Sequence, residues 1–170
     1  APVSPWHMVL GSWFMGVARG SVVFVLLAGL TLWAFDFNFF APGVVPVAAF
    51  LLGLYLTAML VGVLVSILLL LFGLRAEVSA WSTVSVVLLV CGIYYPVAVL
   101  PAPLAHLAAW IPLTYFLDAF RVHFGFAPEI RLSLAKGFLL SALYLVLAYC
   151  ALSLAITRSR RTGVLLKLSE

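Results

Sequence analysis

Residues 91–121 read CGIYYPVAVLPAPLAHLAAWIPLTYFLDAFR. The run is apolar enough to lie in a membrane, yet it carries Pro96, Pro101, Pro103 and Pro112. A proline lacks the backbone donor of its own turn and clashes with the turn before it. In hydrocarbon, a carbonyl released in this way must find a partner inside the protein. A broken helix persists there only when buried in protein or set beside a cavity. A single straight spanning helix is thereby excluded. The spacing predicts a helix ending near Pro96, then two short helices, about 101–110 and 112–124, that dip into the membrane and return. Proline suits the first turn of a helix, so Pro101 or Pro103, and then Pro112, can open the two pieces.

Composition fits that element. Of the 170 residues 66% are hydrophobic and only 8% charged, against roughly 25% charged in a soluble domain. The class is an all-α integral membrane protein. The net charge of +4 comes from basic residues beside or between apolar segments, not from a patch, so no nucleic-acid partner is expected. Cys91 and Cys150 lie inside apolar runs and read as small hydrophobes. The opening APVSPWHMVLGSWF lacks the basic start, short apolar core and small-residue cleavage site of a signal peptide. The chain is expected to be the carboxyl-terminal part of a longer protein.

Four spans are predicted, about 13–35, 44–72, 78–95 and 137–157. With the broken element they form one transmembrane domain over residues 1–170. Arg19 interrupts the first span and leaves 20–35 uninterrupted, short against the roughly 20 residues needed to cross. Two accounts fit: Arg19 snorkels to the near interface with the helix starting outside the membrane around Trp6, or it faces a polar cleft. Trp33, Phe35, Phe37, Phe39 and Phe40 then form an interfacial belt. Gly53, Thr57, Gly62 and Ser66 recur along the second span at near-helical spacing, which serves close packing or a substrate-lining face. Ser79, Ser82, Thr83 and Ser85 crowd the third span. Their hydroxyls can bond back to their own helix, bond across to another, or line a polar path. Asp118 and Arg121, three apart on one helical face, can pair.

Charge counting orients the chain. With four crossings, Arg19, Arg75, Arg158, Arg160, Arg161 and Lys167 share one side, and Arg121, Arg131 and Lys136 the other. The positive-inside tendency then places both ends in the cytoplasm of a multi-pass plasma-membrane protein. If the broken run crossed, the split would be nearly even.

Several chemistries are missing. There is no phosphate-cradling GxxxxGK loop, no GxSxG and no HExxH. His7, His106 and His123 stand apart, with no ligand-spaced partners. No carboxylate lies mid-span, as a proton-coupled carrier would need. The sequence contains no repeat at a fixed period.

The run Gly92-Ile93-Tyr94-Tyr95-Pro96, then Leu100-Pro101, then Ile111-Pro112-Leu113-Thr114-Tyr115, then Asp118 and Arg121, resembles the signature of type-2 ABC exporter permeases. The match at Gly92, Pro96, Pro101, Pro112, Thr114, Tyr115 and Arg121 is in order and at suitable spacing. Elsewhere only the pattern of spans matches. The resemblance implies six spanning helices with two short external re-entrant helices between the fifth and sixth. It implies a dimer with a second permease copy or a homologous permease, with a cytoplasmic ABC ATPase on each half. The four spans here would be the third to the sixth. The first two helices are lacking, and of the coupling helix only the exit, around Ser4-Pro5-Trp6, would remain. The chain itself needs no cofactor and is not an enzyme; ATP would bind the partner subunit. Arg19 would lie near the cytoplasmic entrance. Such exporters move lipids, lipid-linked glycans, drugs or peptides, and no residue here chooses among them. A membrane-embedded assembly or binding subunit without transport activity is the rival expectation from another class.

Overall fold

A computed structural model of the chain describes residues 5–72 and 77–162. Arg75 and Lys167, used above for orientation, lie outside them. The described residues form six α-helices: α1 (Pro5–Phe35), α2 (Val44–Phe72), α3 (Glu77–Val90), α4 (Ala102–Ala108), α5 (Pro112–Val122) and α6 (Ser133–Thr162). A 3-10 turn, Val97–Val99, precedes α4. Three stretches, His7–Phe35, Val44–Phe72 and Ser133–Arg158, are long and apolar enough to cross a membrane. Leu26, Trp33, Val45, Leu139 and Leu154 are among the many large apolar side chains left exposed on them. Apolar surface on that scale needs a non-aqueous surrounding, and the protein is membrane-embedded.

The chain divides into two compact units, residues 1–48 and 49–170. The first holds α1, the turn after it and the start of α2. The turn departs from α1 at Asp36, with φ +55. Asn38 Oδ1 accepts the Phe40 amide at 2.8 Å, a side-chain turn of the kind asparagine favours. Phe24 packs edge-on against Phe39 and Phe40, 5.9 and 6.1 Å between ring centres. Phe39 and Phe40 thus fold the turn back onto α1, while Trp33 and Phe35 of the same aromatic group stand exposed.

The second unit is built around α5, whose Pro112, Leu113, Thr114, Phe116, Asp118 and Ala119 are buried. Helix α5 packs mainly on α6. Phe116 is fully buried and wedged between two helices at their glycines. A Cβ on Gly53 of α2 would overlap its ring, and one on Gly137 of α6 would lie 3.0 Å from it. Phe120 stacks on Phe50 of α2 with ring centres 4.1 Å apart. The small residues of α2 thus serve close packing at Gly53.

Helices α3 and α6 differ most instructively in length from the predicted spans, and α4 and α5 end two residues short of theirs. Helix α3 ends at Val90, not at Tyr95, because Gly92 takes φ +89 and turns the chain out of the helix. Its 14 residues rise about 21 Å, short of a hydrocarbon core of about 30 Å. Helix α6 runs further at both ends than 137–157. Lysine and arginine are good helix formers, so Lys136 and Arg158 bound the apolar stretch without ending the helix.

Candidate functional site

The residues singled out by their motif, Arg19 apart, lie in the second unit, where the ends of α3, α4 and α5 leave backbone groups without helical partners. At the end of α3, the turn at Gly92 has no room for a side chain. A Cβ there would stand 3.0 Å from Val97 Cγ2 and 3.3 Å from the Tyr95 carbonyl oxygen. The positive φ adds a conformational cost for any other residue. The carbonyls exposed by this turn are taken up by side chains. Tyr95 Oη donates to Leu89 O at 2.8 Å. The Arg121 guanidinium, from the last turn of α5, donates to Gly92 O and to Ile93 O at 3.4 Å.

The prolines start the short helices. Pro96, with φ −59 and ψ 143, leads the 3-10 turn. Pro101 is the residue before α4, Pro103 its second residue, and Pro112 the first of α5. Each stands where a missing N–H costs nothing.

At the α4–α5 turn three successive carbonyls accept side-chain hydroxyls, the first of them, Ala108 O, alongside the Ile111 amide at 3.0 Å. Thr114 Oγ1 donates to Ala108 O at 2.9 Å. Tyr115 Oη donates to Ala109 O at 2.8 Å. Tyr144 Oη, from α6, donates to Trp110 O at 2.9 Å. Thr114 and Tyr115 therefore satisfy the helix that precedes their own. Tyr144 was not among the residues the sequence singled out. A tyrosine within an apolar helix, whose hydroxyl needs a partner, was the available signal.

Asp118 and Arg121, expected to pair with each other, take different partners instead. The Asp118 carboxylate is buried and accepts the amides of Glu129 at 3.1 Å and Ile130 at 3.2 Å. Glu129 Oε2 in turn accepts the Ala98 amide at 3.3 Å. Helical spacing brings two residues onto one face, but unpartnered backbone groups lie closer to each charge. Charge-assisted bonds to such groups are strong. Asp118 thus ties the α5–α6 loop to α5, and Glu129 ties that loop to the segment before α4.

The hydroxyls of α2 and α3 do not reach across helices where their bonds are seen. Thr57 donates to Gly53 O at 2.9 Å, Ser66 to Gly62 O at 2.8 Å, Ser82 to Val78 O at 2.9 Å and Ser85 to Trp81 O at 3.0 Å. Each closes a bond within its own helix. A cavity of about 680 Å³ between α2 and α3 counts Thr57, Gly62, Trp81, Ile93 and Leu113 among its walls. Its lining is almost wholly apolar.

Arg19 stands exposed near the middle of α1, in the first unit. Among the described residues no three His, Cys, Asp or Glu side chains converge as a metal site would need. What the cluster around α5 does chemically is satisfy a backbone broken four times by proline, within apolar surroundings. The chain matches no protein-family model, no curated protein and no solved structure.

Proposed function

We propose that the chain is the carboxyl-terminal portion of a permease subunit of a type-2 ABC exporter. It would contribute four crossings and a re-entrant pair, α4 and α5, to half of a dimeric pathway for a lipid, glycan, drug or similar amphipathic cargo. A separate cytoplasmic subunit would hydrolyse ATP. The observation that carries this reading is the bonding of the motif residues. Tyr115 and Arg121 each close a carbonyl left open by a break in the backbone, Thr114 adds a second donor to the Ala108 carbonyl, and Gly92 sits where no Cβ fits. A motif of these residue types at this spacing is what a hairpin needs to enter hydrocarbon and leave on the same side.

The depth of the hairpin supports re-entry. Its tip, at Trp110, is held by Tyr144, eleven residues beyond the start of α6 at Ser133. Eleven residues are about 16 Å of helix rise, roughly half of a hydrocarbon core. Apolar residues 91–96 after α3 would complete the fourth crossing.

The test uses the complete gene product in its native membrane. Purified in mild detergent, it is expected to bring down an ABC ATPase subunit and to show nucleotide hydrolysis that an ATPase-inactivating substitution in that partner abolishes. Purification of the intact protein with no nucleotide-hydrolysing subunit would reject the permease reading in favour of an assembly or binding subunit.

A further inference from the structure

Beside the α4–α5 turn, Trp110, Tyr115, Lys136, Leu139, Leu140 and Leu143 border an open hollow of about 450 Å³. Specific small-molecule sites commonly run from about 300 to 1,000 Å³. Lys136, Leu139, Leu140 and Leu143 follow the i, i+3, i+4, i+7 spacing of a single helix face. That face is headed by a cation and continues as a leucine track. Leu139 is 74% exposed, and Leu143 and Trp110 are exposed with it. Lys136 is exposed as well, and among the described residues none takes up its ammonium charge. It lies in the first turn of α6, at the end where the helix dipole is positive.

The hollow therefore has two chemically distinct halves. One is an unneutralised cation, on a stem long enough to reach the headgroup level. The other is a strip of leucine bordered by the Trp110 indole, a broad ring for an acyl chain to lie against. We infer that the hollow binds an anionic phospholipid from the leaflet at the amino-terminal end of α6. The lipid phosphate sits on the Lys136 ammonium, and one acyl chain lies along Leu139, Leu140 and Leu143 beside Trp110. The occupant is a membrane lipid and not a free anion, because most of the wall is apolar and gains nothing from phosphate alone. Membrane embedding is all that this site requires; it stands whether or not the chain belongs to an exporter.

Native mass spectrometry of the full chain, released from detergent and titrated with lipid, tests the site. Phosphatidylglycerol is expected to be retained in preference to phosphatidylcholine with the same acyl chains. Lys136→Gln should weaken phosphatidylglycerol retention about five-fold, the effect of one lysine near an anionic headgroup, and should leave phosphatidylcholine unchanged. Lys136→Arg should keep the preference. Leu143→Trp, which fills the acyl half, should weaken retention with the cation intact. Inorganic phosphate in millimolar excess should displace nothing. Equal retention of the two lipids, undiminished phosphatidylglycerol binding by Lys136→Gln, or displacement by inorganic phosphate would each overturn the assignment. Because Lys136 is exposed, its variants retain the fold, and circular dichroism of each checks that they do.

Discussion

Three residues carry the most specific expectations. At Gly92 a side chain meets both a positive φ of +89 and a neighbour at 3.0 Å. Gly92→Ala is expected to destabilise the chain by about 1–3 kcal/mol, read as a lowered melting temperature in detergent. Thr114→Val keeps the shape of the side chain and removes its hydroxyl, leaving the Ala108 carbonyl with the Ile111 amide alone. The expected cost is about 0.5–1.5 kcal/mol, whereas Thr114→Ser, which keeps the bond, loses much less. Asp118→Asn halves the acceptor capacity facing the Glu129 and Ile130 amides. Limited proteolysis between residues 125 and 132 should then speed up several-fold, and unchanged cleavage would remove Asp118 from its role as the tie of that loop. Glycine and proline were readable in the sequence because their constraint is local: φ is fixed or freed at the residue itself. The partners of Asp118 and Arg121 were not readable. Helical spacing says which side chains share a face, but says nothing of amides 11 and 12 residues onward or a carbonyl 29 residues back. Tyr144 escaped notice for the same reason, since its acceptor lies 34 residues away in the chain.

Among the helices, α2 begins and ends at the residues its hydropathy predicted, Val44 and Phe72. It is bounded by a proline-glycine turn before it and uninterrupted within. Helices α4 and α5 begin where their prolines placed them. The misjudged boundaries are those where apolarity and helicity part company. Helix α1 starts at Pro5, beside the Trp6 start that a snorkelling Arg19 implied but ahead of the span's residue 13, and carries Arg19 without a break. Helix α3 stops five residues early at a glycine, although the sequence stays apolar beyond it. Packing between elements turns on Phe116. Gly53→Ala is expected to cost about 1–3 kcal/mol, because the new methyl overlaps a ring held in a fully packed site. Adding Phe116→Leu should recover part of that loss. A double variant no better than Gly53→Ala alone would show that the α2–α5 contact does not set the stability of this unit.

At the scale of the whole molecule, the hydropathy of the sequence already identified a membrane-embedded, all-helical chain, because that conclusion rests on composition alone. The path of residues 101–124 needs a direct measurement. In a background free of Cys91 and Cys150, Ala102→Cys and Leu132→Cys, both at exposed positions, should react with an impermeant maleimide from the outer side only. His7→Cys, at the start of the first span, should react from the cytoplasmic side only. Reaction of Ala102→Cys and Leu132→Cys from opposite sides would mean that the hairpin crosses, and the charge-based orientation would fall with it. The clasp of Tyr144 on the hairpin tip, together with Phe116 seated at Gly137, has a mechanical corollary. Helix α5 and the turn before it cannot swing away like a hinged flap while the last long helix stays still. Any tilt of α6 carries α5 with it as one stiff lever, with the α5–α6 loop riding along as its handle.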